Sequence, residues 1–119
     1  MYSETILTQN VHPGDSTTET ITGEKYRGDG YYGRSDGFHT VQYNISGFIG
    51  KIDIQATLAV EPTESDYFTI SDTALVSADD SSGYNTGAFI YNFTGNYVWV
   101  RAYVTEWTDG DISSIQLNH

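Results

Sequence analysis

The residues best suited to binding or chemistry in this chain lie in one alternating stretch near its C-terminal end. Residues 93–107 read FTGNYVWVRAYVTEW, and after Gly95 small aliphatic residues alternate with aromatic residues and one arginine. Side chains in a β-strand point to opposite faces with a period of two, so the pattern predicts one aliphatic and one aromatic face. The aliphatic face comprises Val98, Val100, Ala102 and Val104, and the aromatic face comprises Tyr97, Trp99, Arg101 and Tyr103.

Three interpretations of the aromatic face stay open at the level of sequence. Aromatic rings beside polar groups suit sugar binding, and aromatic residues with arginine also suit protein interfaces. In the third interpretation Trp99 is an ordinary core residue and Arg101 belongs to a buried or capped pair. The face is therefore a binding surface only if no other part of the chain covers it.

A second set of aromatic and cationic residues lies in a glycine-rich segment, residues 23–38, which reads GEKYRGDGYYGRSDGF. The segment holds five glycines, three tyrosines and three cations. A flexible linker would lack the aromatic residues, so the composition predicts an irregular loop or a strained hairpin. We expect Tyr31, Tyr32 and Arg34 to contact a partner, with the basic loop meeting acidic surface on a neighbouring molecule.

The acidic and imidazole side chains match no catalytic or metal-binding motif. Asp79-Asp80 and Asp109-Gly110-Asp111 are candidate calcium ligands, but they fall short of the EF-hand pattern. The three histidines lack metal-ligand spacing, and His39 is more typical of a packed or interface residue. The sequence therefore predicts a protein without catalytic residues and without a cofactor.

Period-two alternation also predicts the strands that position these residues. Residues 38–46 and 51–60 each have one apolar face, and a last strand is predicted over residues 112–117. In the first strand the inward set is His39, Val41, Tyr43 and Ile45. In the second strand the inward set is Ile52, Ile54, Ala56, Leu58 and Val60, with Asp53 on the outer face.

The connections complete the predicted architecture. Turns are predicted at residues 47–50 and 108–111, the second from its Asp-Gly pair. Residues 88–92 are expected to pair with the long strand at 96–107. Short strands separated by frequent turn signals indicate an all-β fold, a two-sheet antiparallel β-sandwich that is jelly-roll-like.

Length and composition limit the classes of function. A chain of 119 residues is near the common size of one domain. We expect residues 1–22 to form a weakly structured N-terminal segment or an edge strand, and residues 23–119 to form a single β-sandwich domain. Five basic and sixteen acidic residues give a formal charge of −11, which disfavours nucleic acid and anionic membranes as partners. No cysteine is present, and the sequence shows neither a signal peptide nor a membrane span.

Two segments carry a resemblance to a known group of proteins. Residues 46–70 read SGFIGKIDIQATLAVEPTESDYFTI, and residues 91–119 read YNFTGNYVWVRAYVTEWTDGDISSIQLNH. With the Gly-Tyr-Tyr-Gly and Gly-Phe-His-Thr segments at 30–40, they resemble small virion structural proteins of marine T4-like phages, the cyanophages. The resemblance extends from Thr22 onward and implies a β-sandwich that assembles into a particle.

The function expected from these observations is that of a non-enzymatic virion structural or interaction protein that forms assembly contacts in a phage particle. Its expected partners are further copies of itself or other virion proteins, and its expected location is the virion. The alternative is a carbohydrate-binding module that recognises a cell-surface glycan, since sandwich folds often carry sugar sites.

Overall fold

The computed structural model describes residues 3–14, 17–28, 37–77 and 86–118, and most of these residues are folded as β-strands. No helix in these ranges is long and apolar enough to cross a membrane. A 3-10 turn spans Glu64–Asp66. The described strands are β1 (Ser3–Leu7), β2 (Asn10–Val11), β3 (Glu19–Thr22), β4 (Tyr26–Arg27), β5 (Phe38–Thr57), β6 (Phe68–Ser77), β7 (Gly87–Thr94) and β8 (Trp99–Asn118).

The two longest strands, β5 and β8, organise the sheet. Each has 20 residues, and they pair antiparallel from Thr40↔Asn118 to Thr57↔Trp99. β6 and β7 pair with the other side of β5, while β1, β2, β3 and β4 pair along the other side of β8. The described strands therefore form one open antiparallel sheet of eight strands, and the all-β prediction is confirmed.

β5 and β8 bend near their midpoints, where the sequence predicted turns. Gly47 and Gly110 have φ angles of 61° and 85°, and Glu106 has a φ of 54°. The register between β5 and β8 also shifts between Asn44 and Lys51. Left-handed backbone and unpaired residues bend a strand without ending it. The turns predicted at 47–50 and 108–111 are therefore wrong, because glycines that suit a turn suit a bulge equally well.

The bend brings the two ends of β5 to the same end of the molecule. The Val98 amide donates to the Thr57 carbonyl at 3.0 Å, beside the C-terminal end of β5. The neighbouring Tyr97 ring lies 6.2 Å from the ring of His39, near the N-terminal end of β5. We call this region the open end, and it includes Phe38, Leu58, Val60, Phe68 and Tyr97.

The core fills the inner side of the bent sheet. Leu58 and Val60, which were predicted to be core residues, are 66% and 71% exposed because β5 ends at Thr57. Asp53, which was predicted to face outward, is buried in a central strand between β6 and β8. The other predicted inward residues of β5 are buried as expected, and so are three from β8: His39, Val41, Tyr43, Ile45, Ile52, Ile54, Ala56, Val100, Ala102 and Val104.

β7 pairs with β5 and not with β8. The ladder runs from Phe38↔Thr94 to Ile45↔Gly87 without a register shift. The predicted pairing of residues 88–92 with 96–107 is therefore wrong. Proximity in sequence favoured that hairpin, whereas β5 offers a ladder along the whole of β7, and residues 95–98 cross the open end to reach β8.

Candidate functional site

The four residues of the predicted aromatic face do not form one continuous surface. Trp99, Arg101 and Tyr103 lie on the side of β8 opposite the aliphatic core residues. Arg101 is buried, whereas Trp99 and Tyr103 are half-buried. Tyr97 precedes β8, and its ring packs at the open end. The structure thus divides the face into a site around Arg101 and a second site at the open end.

Arg101 is tied into the chain by three contacts. Its side chain is buried, its Nε donates to Gln55 Oε1 at 2.9 Å, and its Nη1 donates to Glu64 Oε2 at 2.9 Å. The guanidinium carbon lies 3.7 Å from the centroid of the Tyr67 ring. Paired charge and a cation–π contact offset the cost of burying a cation. The arrangement corresponds to the buried-pair interpretation of Arg101.

The 3-10 turn holds Glu64 over Arg101. The Asp66 amide donates to the Thr63 carbonyl at 3.0 Å, and the Thr63 amide donates to Asp66 Oδ2 at 2.7 Å. These reciprocal bonds close the segment that follows Pro62, so the loop after β5 has a fixed shape. Burial raises the pKa of the Tyr67 hydroxyl, and the nearby Arg101 charge opposes that increase.

A pocket of about 400 Å³ opens above Arg101, and we call it the arginine pocket. One wall is the link between β3 and β4, and the other is the 3-10 turn with Tyr67. Its groups are hydroxyls, carboxylates, an ammonium group and one aromatic ring, which suit a small polar ligand such as a sugar. The lining residues are Thr22, Gly23, Glu24, Lys25, Pro62, Thr63, Glu64, Tyr67 and Arg101.

Trp99, beside the arginine pocket, is already engaged with the chain. Its Nε1 donates to the Val60 carbonyl at 2.9 Å, and Lys25 Nζ lies 4.7 Å from the ring centroid. A sugar that stacks on tryptophan needs an open ring face. The lysine covers part of this ring, so Trp99 as it stands is a poor stacking platform.

Tyr97 belongs to an aromatic cluster at the open end that the sequence did not predict. The rings of Phe68 and Phe93 lie 5.6 Å and 6.3 Å from the Tyr97 ring. His39 stacks on Phe93 at 4.7 Å, and its Nδ1 lies 3.0 Å from the Gly37 carbonyl oxygen. These rings come from both halves of the bent sheet and close the core at this end.

Exposed apolar side chains also occur in the segments that meet at the open end. Phe38 is 68% exposed, and Leu58, Val60 and Phe68 are exposed as well. The sequence contained a signal for these residues: Phe38 falls out of phase with the apolar face of β5, and Leu58 and Val60 lie within three residues of a Glu-Pro pair. Four large apolar side chains at one end of an acidic molecule form the candidate interaction surface.

The candidate metal ligands do not come together in the described part of the chain. In those residues no group of three or more His, Asp or Glu side chains could hold a metal ion. Asp109 and Asp111 lie in the bend of β8, where Asp109 Oδ1 accepts from the Gly110 amide at 2.8 Å. Asp79 and Asp80 lie outside the described residues, as do Tyr31, Tyr32 and Arg34.

Asp53 is a buried carboxylate in the middle of β5. Its Oδ2 lies 3.8 Å from Lys51 Nζ, and its buried Oδ1 has no hydrogen-bond partner among the described residues. Burial raises the pKa of Asp53, and the Lys51 ammonium group opposes this only in part. The group therefore lowers the stability of the fold when it is ionised.

Comparison with known proteins places the chain in no family. No family model, no curated protein and no solved structure matches it.

Proposed function

We propose that this chain is a non-enzymatic structural protein of a phage particle and that its open end makes assembly contacts. The observation that carries the proposal is the exposure of Phe38, Leu58, Val60 and Phe68 around one end of the fold. Several exposed apolar side chains grouped at one end of a protein are typical of interaction surfaces. The partners would be further copies of the chain or other proteins of the particle.

The chemistry of the open end fits such a contact. Full burial of a Val, Leu or Phe side chain contributes about 1.5–3 kcal/mol each, so covering four of them offsets much of the cost of association. The ring of Phe68 packs against Tyr97 at 5.6 Å, and Tyr97 in turn packs against Phe93 at 6.3 Å, so little ordering of Phe68 is needed on binding.

The net charge of the chain supports the same role. With a formal charge of −11, free copies repel each other, which limits non-specific association through the apolar end before a partner covers it. The same charge favours a partner surface that is neutral or basic and disfavours nucleic acid. The acidic surface thus contributes to partner choice, while the apolar end contributes to affinity.

The part of the proposal that concerns a phage particle is supported by the sequence resemblance. The segment at 46–70 contains Leu58, Val60 and Phe68, and the segment at 91–119 contains Tyr97. Most of the proposed contact surface therefore lies within the resembling segments, which also include β8 and the C-terminal half of β5.

We also infer that the bent sheet acts as the two layers of a jelly-roll-like sandwich. One half contains β7, β1 and β2, the other contains β6, β3 and β4, and β5 and β8 run through both. The Tyr43 hydroxyl donates to the Thr73 carbonyl of β6 at 2.8 Å, which connects the two halves across the core. This bond and the Tyr97 cluster support face-to-face packing of the halves.

The proposal is tested by the amount of chain that purified particles carry. A tagged copy with Val60→Ser should lose at least about fivefold in copies per particle, because the loss of an apolar contact of about 1.5 kcal/mol changes an equilibrium about tenfold. Val76→Ser is the matched control, since Val76 is 57% exposed on β6, away from the open end. Equal copy numbers for the two variants would show that the open end is not the contact surface.

The second candidate function is a carbohydrate-binding module, which the arginine pocket favours. The pocket is large enough for part of a sugar, and its lining is polar with one aromatic ring. The partly covered Trp99 ring argues against ordinary stacking, so recognition would depend on hydrogen bonds.

Glycan titration monitored by tryptophan fluorescence tests this second candidate. A sugar in the pocket should displace Lys25 from the Trp99 ring and give a saturable signal that Lys25→Ala changes. Lys51→Ala is the control, because Lys51 does not line the pocket. If no glycan in a broad panel gives a saturable signal, the carbohydrate function is rejected.

A further inference from the structure

The outer edge of β7 has an unusual composition for this chain. Its eight residues, GAFIYNFT, contain no charged residue and no proline, and its ladder with β5 has no register shift. Natural proteins protect exposed strand edges with charges, prolines, bulges or short length. β7 uses none of these devices and exceeds the usual strand length of about 5–6 residues.

One hydrogen bond shows which backbone amides and carbonyls of β7 point toward β5 and which point outward. The Gly95 amide donates to the Gly37 carbonyl at 3.0 Å, directly beyond the Phe38↔Thr94 pair. Hydrogen-bonded and non-hydrogen-bonded pairs alternate in an antiparallel ladder. Residues 87, 89, 91 and 93 therefore bond to β5, and the amides and carbonyls that point outward belong to Ala88, Ile90, Asn92 and Thr94.

Those four residues are all exposed, and Ile90 is 60% exposed. Within the part of the chain that the structure describes, no strand pairs with the outer side of β7. A groove of about 400 Å³ lies beside it, lined in part by Asn92 and Thr94. Among the described residues, no strand therefore uses the outward donors and acceptors of β7.

The other outer strands of four or more described residues differ from β7 in the same two respects. β1 carries Glu4 and β3 carries Glu19, and the register of each with β8 shifts. β6 carries Asp72, and its register with β5 shifts between Ile52 and Ile54. Negative charge and irregularity thus protect three outer strands, while β7 is regular and neutral.

We propose that the outer edge of β7 pairs antiparallel with β7 of a second copy of this chain. The choice of a second copy as the partner of β7 follows from charge and symmetry. Two molecules with a formal charge of −11 repel least where their contact strands carry no charge. A self-paired antiparallel edge also closes under two-fold symmetry, which gives a dimer and not a filament.

The backbone directions fix the favoured register. Outward groups of one copy bond only to outward groups of the other, so even-numbered residues must pair with even-numbered residues. Placing Tyr91 opposite Tyr91 pairs Ile90 with Asn92 and Ala88 with Thr94 in both directions. This register uses all four outward residues of each copy.

This dimer uses the backbone edge of β7, which adjoins the open end only at Thr94, the register partner of Phe38. It does not depend on membership of a particle. It would form from the purified chain alone. Loss of particle binding with the dimer intact, or the reverse, would separate the two proposals.

Sedimentation velocity of the full chain over a range of concentrations tests the pairing. Wild type should dimerise, and Ile90→Pro should raise the dimer dissociation constant at least tenfold, because proline removes an outward donor without removing a bond to β5. The dissociation constant should fall as salt rises, since salt screens the repulsion between acidic copies. A basic partner strand would show the opposite salt dependence.

Val76→Pro on β6 is the matched control. The Ile54 amide donates to Thr73 Oγ1 of β6, so the backbone amide and carbonyl of Ile54 point toward β6. Because this direction alternates along a strand, the backbone groups of Ile52 also point toward β6 and those of Lys51 point toward β8. Val76, opposite Lys51, therefore directs its own backbone groups outward at an edge, as Ile90 does. Val76→Pro should leave the dissociation constant within twofold of wild type.

A second variant keeps the test informative if Ile90→Pro does not fold. In the wild type, Thr40 Oγ1 donates a hydrogen bond to Asn92 Oδ1 at 2.8 Å. Asn92→Asp keeps an oxygen that accepts this bond and places a negative charge on the β7 edge of each copy. It should weaken the dimer at least tenfold. A wild type that stays monomeric at all concentrations would overturn the proposal, and so would equal effects of the β6 and β7 variants.

Discussion

Arg101 is the residue whose role differs most between its sequence pattern and its surroundings. Alternation in residues 97–103 grouped it with three aromatic residues on an apparent binding face. In the fold its guanidinium is buried and bonds to Gln55 and Glu64, over the ring of Tyr67. A buried pair was one of the three interpretations of Arg101, but Glu64 and Tyr67 follow the end of β5 and no local pattern links them to β8, so its partners were not predictable from sequence.

Replacement of Arg101 by lysine should destabilise the protein by about 1–3 kcal/mol, because an ammonium group cannot reach both oxygens in the planar geometry of guanidinium. Urea unfolding monitored by tryptophan fluorescence measures this change. Glu64→Gln is the control, and it should cost less than about 1 kcal/mol, because the Glu64 side chain is 82% exposed and glutamine keeps an acceptor. Equal losses for the two variants would contradict the anchoring role of Arg101.

Asp53→Asn should stabilise the protein, increasingly so as the pH rises. The pKa of Asp53 is raised in the folded protein, mainly by burial, so the unfolded chain ionises first. Stability is therefore lost as the pH rises from about 4, the ordinary value for aspartate, to the raised pKa, and the asparagine variant avoids that loss.

Melting temperatures at acidic and neutral pH measure the effect of Asp53→Asn. The variant should match wild type near pH 3 and melt higher at pH 7. Asp72→Asn, which removes one charge from an exposed position on β6, should show a smaller difference between the two pH values. A variant that melts lower than wild type at pH 7 would show that the Lys51 contact outweighs the burial of Asp53.

At the scale of elements, the bends in β5 and β8 determine the fold. Period-two alternation correctly predicted most of the buried residues of both strands, but it failed at Leu58 and Val60, which are exposed, and at Asp53, which is buried. It did not predict that each strand continues through its glycines, because a bulge and a turn share the same local composition. The ends of the strands depend on partners far along the chain, which also explains the wrong partner for β7.

Gly110→Ala should destabilise the protein strongly. A Cβ at Gly110 would overlap the backbone of Gly47 on the neighbouring strand, and the φ of 85° is itself unfavourable for alanine. We expect a loss about 1–3 kcal/mol larger than for Gly14→Ala, in line with the cost of overpacking.

Gly14 is a matched control because its φ is 71° but a Cβ there would meet no atom within 4 Å. Its substitution should cost only the backbone term of about 1–2 kcal/mol. Chemical denaturation of both variants gives the comparison. Similar losses for the two would show that the crossing of β5 and β8 tolerates a side chain.

At the scale of the whole molecule, this acidic β-sheet protein has two candidate contact surfaces of different kinds. The open end offers apolar side chains, and β7 offers backbone donors and acceptors. The all-β class followed from the sequence because alternation is a local property. The surfaces did not, since they arise where β5 folds back and where strand pairing stops.

Quantitative mass spectrometry of purified phage particles tests the central claim most directly. If the chain is a structural component, it should co-purify with intact particles from the source that produces it, at a constant ratio to their other proteins and after stringent washing. A chain found only in the unassembled fraction, or in particles at a variable trace level, would contradict the account.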